Sequence, residues 1–150
     1  DLLHLCLSSG ISGTANSAMI AQRELQEKYP ERKIYVVDSY AASAGFGLLM
    51  DKLADMRDEG KTIDEVYAWA MDNRLKLHHW FFTSDLTFFV RGGRVSKVSG
   101  FVGNVLNICP LLNVDFEGKL IPRYKIRTKR KAIQAIVDKM EEKENTVKEN

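Results

Sequence analysis

Residues 2–14 read LLHLCLSSGISGT: an apolar run that stops at Ser8-Ser9-Gly10 and gives way at Thr14 to a segment of different period. The run from Leu2 to Leu7, rich in leucine and closed by serine and glycine, predicts a short strand buried on both faces, as in a parallel sheet. From Thr14 onward Ala18, Ala21, Leu25 and Tyr29 fall on one helical face, and Pro30 ends the helix. Ile34 to Asp38, IYVVD, is the next strand, rich in β-branched residues. Strand, helix of about fifteen residues and strand make a βαβ unit, right-handed in nearly all proteins. The first part of the chain is therefore α/β with a parallel sheet.

Reading outward, Ala41, Ala44, Gly45, Leu48, Leu49, Lys52, Leu53 and Met56 trace a second helix, and Glu59-Gly60 supplies a left-handed terminator. Thr62-Ile-Asp-Glu65 is a capping box opening a third helix, with Ile63, Val66, Tyr67, Ala70, Met71 and Leu75 on its apolar face. Trp80-Phe81-Phe82 reads as a strand, and Ser84 as the N-cap of a short helix ended by Gly92-Gly93. A helix is expected from Val95 to Asn107, after which Pro110 breaks the chain. Leu111 to Val114 and Leu120 to Ile126 flank Phe116-Glu-Gly118 as a hairpin. Thr128 caps a last helix with Ala132, Ile133, Ile136 and Met140 apolar, and the charged EEKENTVKEN end is expected to fray. The expected division is a mainly parallel βαβ lobe over residues 1–82 and a second lobe over residues 83–150, built from an antiparallel hairpin and helices. There is no internal repeat.

Composition is that of a globular protein: 150 residues, 45% hydrophobic, ten glycines and three prolines, which excludes disordered and collagen-like classes. A domain of this length buries roughly 70% of its unfolded surface, enough for a core without metal or disulfide staples. Cys6 and Cys109 both sit in apolar surroundings and read as buried free thiols of a reducing cytoplasm, with a disulfide between them as the alternative. No run approaches the ~18 apolar residues of a membrane span, and a soluble cytoplasmic protein is expected. Asp1 stands directly on an apolar run, as in a chain cut from something longer. The net charge of +2 conceals an uneven distribution. Residues 1–90 hold 9 basic and 13 acidic residues, residues 91–131 hold 10 and 2, and residues 132–150 hold 3 and 5.

The Ser8–Thr14 loop carries the chemistry, because ligands of open α/β sheets bind beyond the carboxyl ends of the strands. Gly10 and Gly13 allow positive φ and close backbone approach, the N–H groups at the helix start attract an anion, and Ser8, Ser9, Ser12 and Thr14 add neutral donors. The loop has no lysine for the outer phosphates of a nucleotide and no GxGxxG, so a singly charged carboxylate fits it better than a polyphosphate. The competing structural explanation is a turn that merely caps the helix. A serine hydrolase is an alternative, since Gly10-Ile11-Ser12-Gly13-Thr14 approaches GxSxG with Ser12 as nucleophile and His78 or His79 as base. Thr14, however, replaces the last glycine of that motif.

Five segments together resemble the DegV family of bacterial fatty-acid-binding proteins. They are Leu7-Ser-Ser-Gly-Ile-Ser-Gly-Thr14 with Ser17-Ala18, Tyr35-Val-Val-Asp-Ser39 with Ala42-Ser43-Ala44-Gly45, Val90-Arg-Gly-Gly-Arg-Val-Ser96, Gly100-Phe-Val-Gly-Asn104 and Lys125-Ile-Arg-Thr128. The resemblance implies a two-lobed α/β, DegV-like fold that buries an acyl chain between lobes and holds its carboxylate near the serine loop. It implies no catalysis and no cofactor, a long-chain fatty acid as ligand, and a fatty-acid kinase partner that uses ATP to make an acyl phosphate. Ser9 matches the family's carboxylate-contacting serine, and Ser12, Gly13 and Thr14 complete the expected ligand loop. The family's earlier Thr-Ser-x-Pro-Ser segment and its carboxy-terminal histidine segment have no counterpart in these 150 residues. The small-residue run Ala41-Ala-Ser-Ala-Gly-Phe-Gly47 either leaves room for the chain or packs a helix closely on the sheet.

The basic residues Arg91, Arg94, Lys97, Lys119, Arg123, Lys125, Arg127, Lys129, Arg130 and Lys131 read most simply as a solvated face. A nucleic-acid-binding alternative lacks a docking element, since neither a recognition helix nor interleaved aromatics are evident. A negatively charged or nucleotide-bearing partner is the sharper expectation, with Arg94 and Arg127 as its contacts.

Overall fold

The structure, a computed structural model, describes residues 1–96 and 108–148, with side chains as far as Glu144. The chain divides into two compact units, one holding Asp1–Leu77 and Phe116–Lys119, the other His78–Asp115 and Leu120–Asn150. The division falls at Leu77/His78 and not at residue 82, because Trp80–Phe82 pairs with a strand of the second unit.

In the first unit β1 (Leu2–Cys6) and β2 (Ile34–Asp38) run parallel, with Leu2 opposite Ile34 and Cys6 opposite Asp38. They are joined by α1 (Thr14–Lys28) and followed by α2 (Ser43–Asp58) and α3 (Ile63–Asn73). Successive residues of β2 serve opposite faces. Val37 packs with Leu49, Leu53, Met56, Val66 and Ala70, whereas Val36 packs with Cys6 and Ala15. β2 is thus buried on both sides. β1 is not: only Cys6 is buried, and Leu2 is 51% exposed, because β1 has β2 as its one strand neighbour among the described residues.

α1 spans the expected residues but turns a different face inward. Leu25 and Tyr29 are exposed, while Ala15, Ala18, Gln22 and Gln26 form the covered side. Gln22 Nε2 donates to the Ile34 carbonyl at 2.6 Å and Gln26 Nε2 to that of Arg32 at 2.7 Å, so polar side chains dock the helix onto the entry to β2. The capping box of α3 forms as read. The Glu65 N–H donates to Thr62 Oγ1 at 3.3 Å and the Thr62 N–H to Glu65 Oε2 at 2.7 Å. Thr62→Ala should cost about 1 kcal/mol in urea unfolding; an unchanged midpoint would contradict the cap.

In the second unit β3 (Trp80–Phe82), β4 (Ile108–Val114) and β5 (Leu120–Arg127) form an antiparallel sheet in that order. Pro110 does not break the chain. It lies within β4 opposite Lys125, next to an irregularity at Leu111/Leu112, and its carbonyl accepts the Thr83 N–H at 3.2 Å. α4 (Thr87–Arg91) is not capped by Ser84; the Asp85 carboxylate takes the Thr87 N–H and hydroxyl instead. Val95 and Ser96 are not helical, and the rest of the helix expected to Asn107 lies outside the described residues. Leu112, Leu86 and Val95 form the core with Phe81, Phe89, Val90 and Leu120 against them. α5 (Lys129–Lys148) starts at Thr128, whose Oγ1 accepts the Lys131 N–H at 3.4 Å, and stays helical through most of the charged end. Ala132 is its buried anchor, whereas Ile133 and Met140 are exposed.

Both cysteines are buried and free. No described helix is long and apolar enough to cross a membrane. His79 Nε2 is buried without a hydrogen-bond partner among the described residues, and burial foremost, with His78, lowers its pKa from 6.5. A lowered imidazole pKa means that the unfolded chain binds the proton first, so stability is full above pH 6.5 and falls as pH drops through the folded value. Melting curves at pH 7.5 and 5.5 should show this loss, and His79→Leu should reduce it.

Candidate functional site

The parallel register brings the carboxyl ends of β1 and β2 side by side, and the two following loops are tied to each other. Ser8 is fully buried and structural. Its N–H donates to the Ala41 carbonyl at 3.0 Å, its carbonyl accepts the N–H groups of Ile11 and Ser12, and its Oγ donates to the Gly118 carbonyl at 2.7 Å while accepting the Gly10 N–H at 3.1 Å. Ser9 is exposed. Its N–H donates to Asp38 Oδ1 at 3.1 Å, and its hydroxyl makes no hydrogen bond among the described residues. The two serines are adjacent, yet one builds the loop and the other leaves its hydroxyl exposed.

Ser12 Oγ accepts the Thr14 N–H at 3.3 Å and keeps its own proton to donate. Gly13 is the N-cap of α1, without a side-chain cap of its own; the Ser12 hydroxyl takes the N–H of Thr14, the first residue of the helix. The internal bonds engage most of the loop's N–H groups and leave those of Gly13, Ala15 and Asn16 at the positive end of α1. Neither Gly10 nor Gly13 has the positive φ that their freedom allowed. Gly10 is needed for close approach: a Cβ there would lie 2.6 Å from the Gly118 backbone, because the Phe116–Lys119 turn is pressed onto the loop. Around Gly13 a Cβ would meet nothing within 4 Å. The same is true of Gly47, so close helix-on-sheet packing is not the reason for that glycine.

Three residues that the sequence reading passed over complete the arrangement. Asp38, 5% exposed, accepts the Tyr40 N–H at 3.1 Å on the oxygen that holds Ser9. Arg74 donates from a terminal nitrogen to the Asp38 carbonyl at 2.8 Å, and its guanidinium lies over the Tyr40 ring at 4.7 Å. Gly118, at φ +73°, closes the turn on Ser8. An acid at the end of an apolar strand was the one usable signal, at Asp38; nothing local marks Arg74. Burial, with the Asp38 charge second, pushes the Cys6 thiol up. Cys6 should therefore resist alkylation at pH 8 until the protein unfolds, and rapid labelling of the native chain would contradict its placement.

Arg94 and Arg127 are exposed residues of the second unit. Arg94 caps its own turn through the Gly92 carbonyl, and Arg127 ends β5 opposite Ile108. Ser12 belongs to the first unit and His78 and His79 to the second, and among the described residues no histidine is hydrogen-bonded to Ser12. No group of three or more His, Cys, Asp or Glu among the described residues could hold a metal ion.

The sequence matches the family described as "Uncharacterised protein, DegV family" over residues 1–150. The chain belongs to the DegV family. A protein of Thermotoga maritima named "Fatty acid-binding protein" is 40% identical over 144 residues, 94% of this chain and 48% of its own length. A DegV domain-containing protein of Clostridium perfringens is 40% identical over 95% of this chain and 49% of its own. Among solved structures, the Streptococcus pneumoniae Fatty Acid Kinase B3 protein loaded with linoleic acid has TM-score 0.84 and 30% identity, covering 93% of this chain and 50% of its own. A DegV family protein of Eubacterium eligens loaded with heptadecanoic acid has TM-score 0.80 and 28% identity, covering 91% and 51%. The chain thus spans about half the length of the curated DegV relatives it matches. The α/β architecture, with a parallel first sheet and an antiparallel second one, is that of the family.

Proposed function

We propose that this DegV chain is the part of a non-catalytic fatty-acid carrier that holds the ligand's carboxylate, with Ser9 as the principal contact and Ser12, Gly13 and Thr14 around it. One observation carries the reading: the Ser9 hydroxyl is exposed and, among the described residues, unengaged, at the mouth of a loop whose other groups are largely satisfied internally. Hydroxyls and helix-start N–H groups suffice for one negative charge. Relatives named or solved as fatty-acid-binding proteins support the ligand class. By the same likeness the partner is a fatty-acid kinase subunit, with Arg94 and Arg127 as docking cations, and the acid is presented to it for phosphorylation in the cytoplasm.

The protein in its full-length form should purify with a C14–C18 acid detectable by mass spectrometry. Ser9→Ala should weaken binding of added fatty acid about tenfold, the loss of one hydrogen bond to a charged group. Extracts without lipid, together with no binding of added acid, would overturn the reading. Arg94→Glu and Arg127→Glu should abolish capture of the kinase subunit while leaving lipid binding unchanged.

A further inference from the structure

We infer that Asp38 is a positioning residue for Ser9, its buried carboxylate locking together the turns that follow β1 and β2. The inference rests on the reading of Ser9 as the carboxylate contact.

A carboxylate that is 5% exposed is costly unless its oxygens are satisfied, and a negative charge near a site for an anion works against the ligand. Its geometry supplies the compensating role. One oxygen, Oδ1, takes the N–H of Ser9 and the N–H of Tyr40, each at 3.1 Å, and so joins residues 29 apart in sequence. Since Asp38 stands directly opposite Cys6 in the register, the clamp acts three residues beyond the end of β1, one residue past the bond from the Ser8 N–H to the Ala41 carbonyl. It uses up the Ser9 N–H, so the group Ser9 can offer a ligand is its hydroxyl.

Arg74 braces the clamp from the other side. It bonds the Asp38 carbonyl and stacks on Tyr40, a residue held at φ +48°, where a non-glycine residue stays only under constraint.

Asparagine at this position keeps an acceptor oxygen for the two N–H groups and removes the charge, with an amide nitrogen in place of the second oxygen; alanine removes the clamp. Binding of palmitate to the full-length protein and amide exchange at Ser9 and Tyr40 separate the cases. Asp38→Ala should speed exchange at both amides and weaken palmitate binding, each about tenfold. Asp38→Asn should keep exchange near the wild-type rate and bind palmitate as tightly or more tightly, a rescue that a general loss of stability would not give. Arg74→Met, which leaves the Asp38 side chain in place, should move both readouts the same way by about threefold, and decides the matter should Asp38→Ala fail to fold. Unchanged Ser9 exchange in Asp38→Ala or, failing that variant, in Arg74→Met overturns the clamp. Fast exchange with wild-type affinity overturns the positioning role. Wild-type protein that binds no palmitate overturns the carrier reading instead, while the exchange rates still report on the clamp.

Discussion

Gly118→Ala should destabilise the protein by about 3 kcal/mol, the sum of overpacking, left-handed backbone strain and a lost buried hydrogen bond. At φ +73° the added Cβ would lie 2.0 Å from Ser8 Oγ, 2.9 Å from Tyr40 Cδ1 and 3.2 Å from Ser8 Cβ. Ser8 has no room to retreat, since it is fully buried and bonded at its N–H, its carbonyl and its Oγ. The turn must lift, which breaks the bond from Ser8 Oγ to the Gly118 carbonyl. Gly13→Ala is the control, because its φ of −74° is ordinary and nothing lies within 4 Å of the new methyl. Urea unfolding followed by circular dichroism should show the large loss for Gly118→Ala and a change within about 0.5 kcal/mol for Gly13→Ala. Equal midpoints for the two variants would mean that the turn is not seated on the loop.

The contrast between these glycines marks what the sequence could and could not tell. The SSGISGT loop, to which the proposed function assigns the ligand's carboxylate, stood out in the sequence because a turn rich in hydroxyls at the carboxyl end of a parallel strand is where open α/β sheets place ligands. Which serine is structural was not legible, since that depends on a carbonyl 110 residues away. Asp38 could be read only as the last residue of a strand, because its role needs the register with Cys6. β1 was read as buried on both faces and is not, whereas β2, read only as a strand rich in β-branched residues, is buried on both, although both strands are apolar. Burial of a strand depends on its neighbours in space, and among the described residues β1 has one.

Two helices show the same limit in another form. In α3 the cap and the apolar face agree, with Thr62 bonded to Glu65 and Val66 and Ala70 buried. In α1 the leucine and tyrosine of the apparent apolar face are exposed, and two glutamines dock the helix through carbonyls that sequence periodicity does not weigh. Pro110 is a comparable case. A residue that removes a ladder donor fits inside β4 because an irregular pairing follows it.

Leu112→Ala carries the second large effect, an expected loss of about 3 to 4 kcal/mol. Leu112 is fully buried on the central strand of the second sheet, opposite Phe81, and packs with Leu86 and Val95. Phe89 and Val90 cover the same cluster, so the cavity is walled by side chains from α4 and from the turn after it. That turn is built on Phe89, whose carbonyl accepts the N–H groups of Arg94 and Val95. Val95 is therefore the plug that seats the Gly92-Gly93-Arg94 turn, and Leu112 is the floor beneath it. Hollowing the floor should loosen Arg94 as well as lower stability; on the proposed role of Arg94 as a docking cation, a variant still folded at low temperature should then lose affinity for a kinase partner while retaining fatty acid. Leu112→Met, which keeps the volume, should cost less than about 1.5 kcal/mol and leave partner capture intact. Loss of less than 1 kcal/mol in the alanine variant would mean that this cluster does not hold the second unit together.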